Sequence, residues 1–465
     1  MLWNYSRFGD RLAVVDEYGQ RLTYAQLAGE ARALSSAAKG RCLVMQLCQN
    51  TLGSLVGYAA FLEEGVALAL LGADISREAF DALYQAYTPQ FLWAPAAFKH
   101  PGCLPVYKRF GYHLLRTAFG EAPPLHPDLA LLLTTSGSTG SPKFVRQSYG
   151  NIRANTDSIV EYLALTPDER PITTLPMHYT YGLSIINTHL DLGATLLLTD
   201  KGIAQKDFWR FFREEKASSF GGVPYTYEML DRMRFHHMEL PSLKTMTQAG
   251  GKLLPALHRK LAEWCMQTGR KFIVMYGQCE ATARMAYLPW EQSLAKAGAM
   301  GIAIPGGRFE LMDENGTVIA NPYINGELRY YGDNVTLGYA ESAADLRLGD
   351  ERNGMLDTGD IARMDEDGCF TIVGRKKRFL KLFGNRVNLD EVEGMVKMAF
   401  PGSDVACGGV DDQLCLFAVQ EDELPAMRAF LIEKTGLNPT AFRVQAVREI
   451  PKNEAGKTLY KELEL

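Results

Sequence analysis

From about residue 130, short apolar runs alternate with amphipathic stretches, and this alternation limits the possible folds more sharply than any other feature. LALLLTT, PITTLPM, GATLLLTD, ASSFGGV, LKTMTQAG and KFIVMYG each read as a buried strand that ends in small or polar residues. KDFWRFFREEK and PALHRKLAEWCMQTG read as amphipathic helices between them, the second stopped at Gly269. Strand–helix alternation predicts a layered α/β fold with ligands near the carboxyl ends of the strands. The first 120 residues mix both patterns and predict a related layer.

After about residue 320 the character changes. NPYINGELRYYGDNVTLGY and DIARMDEDGCFTIVGR are punctuated by Gly, Asn and Asp and read as hairpins. A basic run, GRKKRFLK, follows at 374–381, and beyond it NLDEVEGMVKMAF and ELPAMRAFLIEKTG read as helices of a small α+β unit. The reading is therefore a large multi-layer N-terminal domain of β-sheets flanked by helices, residues 1–375, and a small mobile α+β C-terminal domain, residues 376–465. At 465 residues and 47% hydrophobic composition, the chain can bury a core in each.

A net charge of -5 gives no basic field to recommend nucleic acid or an anionic membrane as partner. The eight cysteines (Cys42, Cys48, Cys103, Cys265, Cys279, Cys369, Cys407 and Cys415) form no CxxC pair and read as reduced thiols. The N-terminal residues lack the apolar stretch of a signal peptide, and Glu63 and Glu64 interrupt the most apolar early segment. The expectation is a cytoplasmic protein without an integral membrane segment.

The strongest local signal is LLLTTSGSTGSPKF, residues 131–144. A buried strand runs into Thr134, Thr135, Ser136, Gly137, Ser138, Thr139 and Gly140, and Lys143 follows. Glycines let backbone N–H groups approach a polyphosphate, hydroxyls add donors, and the lysine adds positive charge. The Walker pattern G-x-x-x-x-G-K-[ST] fails, because Pro142 precedes the lysine and Phe144 follows it. A mere Ser/Thr/Gly linker fits poorly between a buried strand and a proline–lysine pair.

TTSGSTGSPK resembles the phosphate loop of the adenylate-forming superfamily, which includes acyl-CoA synthetases, peptide-synthetase adenylation domains and firefly luciferase. Further segments resemble that superfamily's motifs in order: YGQCEATA (276–283), LDTGD (356–360), GRKKRFLKLFGNRVNLDEVE (374–393) and PKNEAGK (451–457). The resemblance implies ATP-dependent conversion of a carboxylic acid to an acyl-adenylate and pyrophosphate. Transfer of the acyl group to a thiol, on coenzyme A or on a phosphopantetheinyl carrier protein, would come next.

It also implies roles for individual residues. Lys143 and the loop hydroxyls would hold the phosphates, and Glu280 would help hold Mg²⁺. Tyr276, followed by Gly277, would offer a flat face to adenine, while Gly250 and Gly251 would let the backbone approach the base edge. Asp360 would accept from the ribose hydroxyls, and Arg375 would reach ribose or phosphate. Lys457 would neutralise charge between carboxylate and α-phosphate in the first step. Lys377 would be the hinge of a domain rotation, after which Lys381 and Gly384 face the site in the second step. Lys376 and Arg378 receive no role and read equally well as a solvated basic face.

LPMHYTYGLSI (175–185) resembles the border of the acid pocket, with His178 as a gate or a structural histidine. Relatives that activate α-amino acids usually place an aspartate where Tyr179 stands. A tyrosine cannot pair with a buried ammonium, so a neutral-tailed aryl or acyl acid is expected. Val223, Tyr225, Gln248, Ala249 and Cys279 complete the expected wall and favour an aromatic or short polar acid over a long alkyl chain. Lys457 stands eight residues before the last one, so the thiol is expected on a separate molecule. GNRVNLDEVE partly matches the GxRxxLxEIE of carrier-loading relatives, which tilts the acceptor towards a carrier. Two alternatives stay open: delivery to an amine, and a regulatory nucleotide-binding protein that has lost the chemistry.

Overall fold

A computed structural model of the protein describes residues 2–38, 40–134, 143–383, 385–452 and 458–463, with the side chains of Lys377, Asn385 and Arg386 outside that description. Its largest sheet has eight strands, in the order Gly338–Ala340, Phe144–Ser148, Leu129–Thr134, Ala67–Gly72, Leu43–Cys48, Phe91–Pro95, Tyr112–Arg116 and Leu104–Arg109. The four strands from Leu129–Thr134 to Phe91–Pro95 run parallel. Leu43–Cys48 is buried throughout, as a strand covered on both faces must be. One of its covers, the helix Leu52–Glu63, is apolar around nearly its whole circumference. The early apolar segment broken by Glu63 and Glu64 is thus the end of that helix and the strand Ala67–Gly72. No helix among the described residues is long and apolar enough to cross a membrane.

A second sheet orders Ser219–Gly222, Thr245–Gln248, Lys271–Tyr276, Ala286–Tyr287 and Ile302–Ala303, the first three parallel. Between them run the helices Pro224–Arg232 and Pro255–Gln267, the latter followed by Gly269 at φ +67° as expected. PITTLPM departs from expectation. Among the described residues its strand-like pairing is limited to two isolated bridges, Pro171↔Ser219 and Ile172↔Leu197. One residue therefore faces each of two different sheets, and Pro171 and Pro176 bring no N–H to extend either pairing.

Four antiparallel strands, Arg308–Met312, Gly326–Tyr331, Met355–Met364 and Phe370–Arg375, form a further sheet. Its inner residues Phe309, Leu328, Tyr330 and Phe370 pack on Ala281, Met285 and Ala286. The hairpins expected after residue 320 are therefore partly wrong in partner. Gly338–Ala340 returns instead to the edge of the eight-stranded sheet, where Tyr339 pairs with Val145. Arg146 secures this return. Fully buried, it donates to Tyr339 O (2.9 Å) and Leu337 O (3.3 Å) and pairs with Glu351 at 2.5 Å.

The C-terminal part has its own core. The hairpin Phe379–Leu382/Asn385–Asn388 and the sheet Val405–Val410, Gln413–Ala418, Phe442–Ala446 enclose Leu389, Val392 and Val396 of one helix with Met427 and Leu431 of another. Asn388 caps the first of these, Leu389–Ala399, by accepting from Asp390 N and Glu391 N. The loops after Leu129–Thr134, Ser219–Gly222, Thr245–Gln248 and Lys271–Tyr276 all leave the carboxyl ends of parallel strands, where the expected motifs lie.

Candidate active site

Three strands deliver the nucleotide end. Tyr276 ends Lys271–Tyr276, and Asp360 on Met355–Met364 lies opposite Arg375 on Phe370–Arg375. Tyr276 Oη donates to Asp360 Oδ2 at 2.5 Å, and Gln278 Nε2 donates to the same oxygen at 2.9 Å. Arg375 Nε stands 3.3 Å from Asp360 Oδ1. Only 3% of Asp360 is exposed. Burial pushes its carboxyl above the usual range, against the pull of Arg375 and of its two hydrogen-bond donors. Burial, then the neighbouring Asp360, lifts the Tyr276 phenol well above its usual value, so it stays a donor. The expected adenine, ribose and phosphate contacts are one hydrogen-bonded cluster, in which Gln278, given no individual role by sequence, is the fourth member.

The phosphate end is organised by a residue that sequence did not single out. Thr134 ends its strand half-buried, while Thr135, Ser136, Gly137, Ser138, Thr139 and Gly140 lie outside the described residues. Lys143 Nζ sits 3.9 Å from the centroid of the Tyr339 ring, whose hydroxyl donates to Glu280 Oε1 at 2.7 Å. Arg352 also stacks on that ring, at 4.7 Å, and donates to the Glu280 carbonyl at 2.8 Å. Tyr339 thus joins Lys143 to Glu280. No group of three or more His, Cys, Asp or Glu among the described residues could hold a metal unaided. A magnesium ion arriving with a nucleotide takes only one or two carboxylates besides phosphate oxygens, which Glu280 fits.

A strained turn separates Glu280 from Arg284. Thr282 has φ +64° and ψ -57°, and Ala283 N donates to Ala281 O at 2.7 Å. A β-branched residue in this region costs on the order of 1–3 kcal/mol. The surroundings hold it there: Thr282 Oγ1 donates to Asn334 O (2.7 Å), and Thr180 Oγ1 donates to Thr282 O. Gly277 belongs to the same device, since a Cβ on it would meet Ala283 O at 1.8 Å. The turn thus sends Glu280 towards Tyr339 and Arg284 into the interior.

Around the expected acid pocket, Val223 and Ala249 are buried in one apolar cluster with Tyr181, Ile273 and Met275, against which Tyr179 packs. Gly250 has φ +84°, and a Cβ on it would stand 2.5 Å from Tyr179 Oη, so glycine there makes room for the tyrosine. The Gly251 carbonyl accepts from Gln248 Nε2 at 2.9 Å. Gln248 is wholly buried, and its side chain braces this loop. Tyr225 is 41% exposed and carries Lys452 Nζ 5.2 Å above its ring, so it meets the C-terminal part. Burial lowers the His178 pKa, partly opposed by Asp74, which keeps the ring neutral at pH 7. Cys279 is half-buried against the core beneath the eight-stranded sheet.

Among the C-terminal residues, Lys381 is exposed on its hairpin, its backbone N–H donating to Asp411 Oδ1 at 2.8 Å. The backbone of Lys377 lies in the turn Lys376–Arg378, but its side chain, Gly384 and Lys457 are outside the description. Arg378 is an internal strut. It pairs with Asp390 and Glu393, each at 2.5 Å, and lies 3.6 Å from the Tyr460 ring centroid. Lys376 pairs with Glu327 at 2.7 Å.

The chain is similar to known proteins. A family model described as AMP-binding enzyme matches residues 2–340. The mitochondrial malonate–CoA ligase of Bos taurus is 26% identical, over 98% of this chain and 88% of its own length. The long-chain-fatty-acid–CoA ligase of Bacillus subtilis is 27% identical, over 75% of this chain but only 64% of its own length. Among solved structures, the Bacillus subtilis O-succinylbenzoate coenzyme A synthetase in complex with AMP superposes with a TM-score of 0.80, at 21% identity, covering 100% of this chain and 97% of that one. That likeness is one of fold, and the family match spans well over half of the sequence. The chain belongs to the AMP-binding enzyme family.

Proposed function

We propose that this protein uses ATP to convert a carboxylic acid to its acyl-adenylate and then passes the acyl group to the thiol of coenzyme A. The observation that carries this reading is the junction of the Tyr276–Gln278–Asp360–Arg375 cluster with the Lys143–Tyr339–Glu280 cluster, only a few residues apart along the 276–280 segment. A carboxylate oxygen attacks the α-phosphorus, and pyrophosphate leaves. The thiol sulfur then attacks the acyl carbon, AMP leaves with the bonding pair, and the thiol proton passes to solvent. Both steps concentrate negative charge, so the chain's contribution is positioning and neutralisation. Lys143 and Arg375 supply cations on the large part, and Lys457 is the proposed cation of the first step. Magnesium bound at Glu280 would further screen the phosphates.

The division at 375/376, the hinge at Lys377 and the use of Lys381 in thioester formation belong to the same proposal. Lys452 lying over Tyr225 favours docking of the C-terminal part at the acid side. Coenzyme A is preferred to a carrier protein because the bovine and Bacillus relatives are both named CoA ligases. ATP–pyrophosphate exchange over a broad acid panel, followed by thioester formation with coenzyme A or with a phosphopantetheinylated carrier, tests the reading. Exchange with no acid would overturn the adenylation, and transfer only to the carrier would overturn the acceptor.

A further inference from the structure

Two arginines are buried within the large part of the molecule, and they are satisfied in opposite ways. Arg146 has the carboxylate of Glu351 and several backbone carbonyls. Arg284, 2% exposed, has neither. Its acceptors are neutral side chains: Ser184 Oγ at 3.1 Å, Tyr162 Oη at 3.2 Å and Met275 Sδ at 3.3 Å. The Tyr181 ring centroid lies 5.1 Å from the guanidinium carbon. No carboxylate among the described residues reaches ion-pair distance. A buried cation without a counter-charge is costly, and a sulfur and two hydroxyls compensate weakly.

The place of this cation is as informative as its isolation. Tyr162, Tyr181 and Met275, which surround the guanidinium, belong to the same apolar cluster as Tyr179, Val223 and Ala249. Arg284 therefore lies against the apolar cluster that carries the expected acid wall, while Glu280, on the other side of the strained Thr282 turn, is bonded to Tyr339 beside Lys143. An acid lying between them would present its reacting carboxylate towards Glu280 and Lys143 and its far end towards Arg284.

We propose that Arg284 is a specificity-determining residue that binds a second oxygen-acceptor group, most strongly an oxyanion such as a carboxylate, at the far end of the substrate acid. This rests on the adenylation reading for the identity of the pocket. It also replaces the neutral tail expected from Tyr179. The planar fork of arginine suits a bidentate contact that a lysine would make only in part.

The test compares acids matched in length: hexanoate with adipate, and 4-methylbenzoate with terephthalate and 4-hydroxybenzoate. Pyrophosphate exchange by the parent is expected to favour the oxygen-tipped member of at least one set by tenfold or more in kcat/KM. Arg284→Met should invert that ratio, and Arg284→Lys should restore part of it. Preference for the carboxylate assigns a full charge, and preference for the hydroxyl assigns a neutral oxygen, each with Arg284 as its reader. Thermal shift with the acids alone gives a readout independent of chemistry: the favoured acid stabilises the parent and not Arg284→Met. Stabilisation without exchange would leave this subsite standing and remove the adenylation. Equal use of methyl-tipped acids by the parent, or an unchanged ratio in Arg284→Met, would overturn the proposal.

Discussion

The two ends of the site are built on opposite electrostatic plans. At the nucleotide end, Asp360 is paired before any ligand arrives, receiving hydrogen bonds from Tyr276 and Gln278 and facing Arg375. At the proposed acid end, Arg284 has only neutral side-chain partners among the described residues. A cluster that is complete by itself is preorganised and indifferent to which acid is bound. A buried charge that is incomplete makes one class of acid worth more than another.

The severest break is expected at the cation proposed for the first step. Replacing Lys457 by alanine should lower acyl-adenylate formation by about 10²–10³-fold, the loss typical of removing one preorganised stabiliser of developing charge. Transfer from a supplied acyl-adenylate should persist. Exchange and thioester formation measured separately check this, and equal loss in both would end the division of labour between Lys457 and Lys381. Next in size is Asp360→Ala, which strips the acceptor from Tyr276 and Gln278. Its loss in kcat/KM for ATP, about 10–100-fold, should be the same for every acid. A loss that varied from acid to acid would merge the two ends that the structure holds apart.

The parts of this contrast differ in how far sequence reveals them. Asp360 and Arg375 lie in short contiguous segments that resemble family motifs, so both could be singled out as candidates before the structure brought them together. The buried strands Leu129–Thr134 and Lys271–Tyr276 were legible for another reason: strands covered on both faces read as unbroken apolar runs. PITTLPM shows the limit of that rule, because an apolar run wedged between two sheets looks the same as a strand within one. Tyr339 and Arg284 were not legible. Tyr339 acquires meaning only when its strand pairs with the one after the phosphate loop. Arg284 acquires meaning from what is missing around it, and its contacts Ser184 and Tyr162 are 100 and 122 residues away. Gln248 shows what spacing leaves out: its bond to the Gly251 carbonyl is a matter of rotamer and burial.

A smaller effect tests whether Tyr339 couples the phosphate-end groups. Tyr339→Phe keeps the ring beneath Lys143 and removes only the hydrogen bond to Glu280. A loss of roughly 3–10-fold in kcat/KM for ATP–Mg is expected, with a shift in the magnesium dependence of exchange. An unchanged magnesium dependence would reduce Tyr339 to a packing residue.

The smallest effect is the most discriminating, because function and stability should move in opposite directions. Burial raises the Asp360 carboxyl above its unfolded value, so its contribution to stability is fully present below the unfolded carboxylate range and is lost as pH rises through the folded value. Above that folded value the unliganded protein carries the cost of a buried carboxylate, which Asp360→Asn cannot incur. The amide oxygen still accepts from Tyr276 and Gln278, and Arg375, 57% exposed at its side chain, can turn to solvent. Unfolding followed against pH should give the variant a Tm about 1–2 °C above the parent near pH 7, with the gap closing as the pH falls. ATP affinity should drop in the same protein. A lower Tm at pH 7 would instead make Asp360 a structural member of an ion pair, and the nucleotide end would then be no more a finished binding site than the acid end.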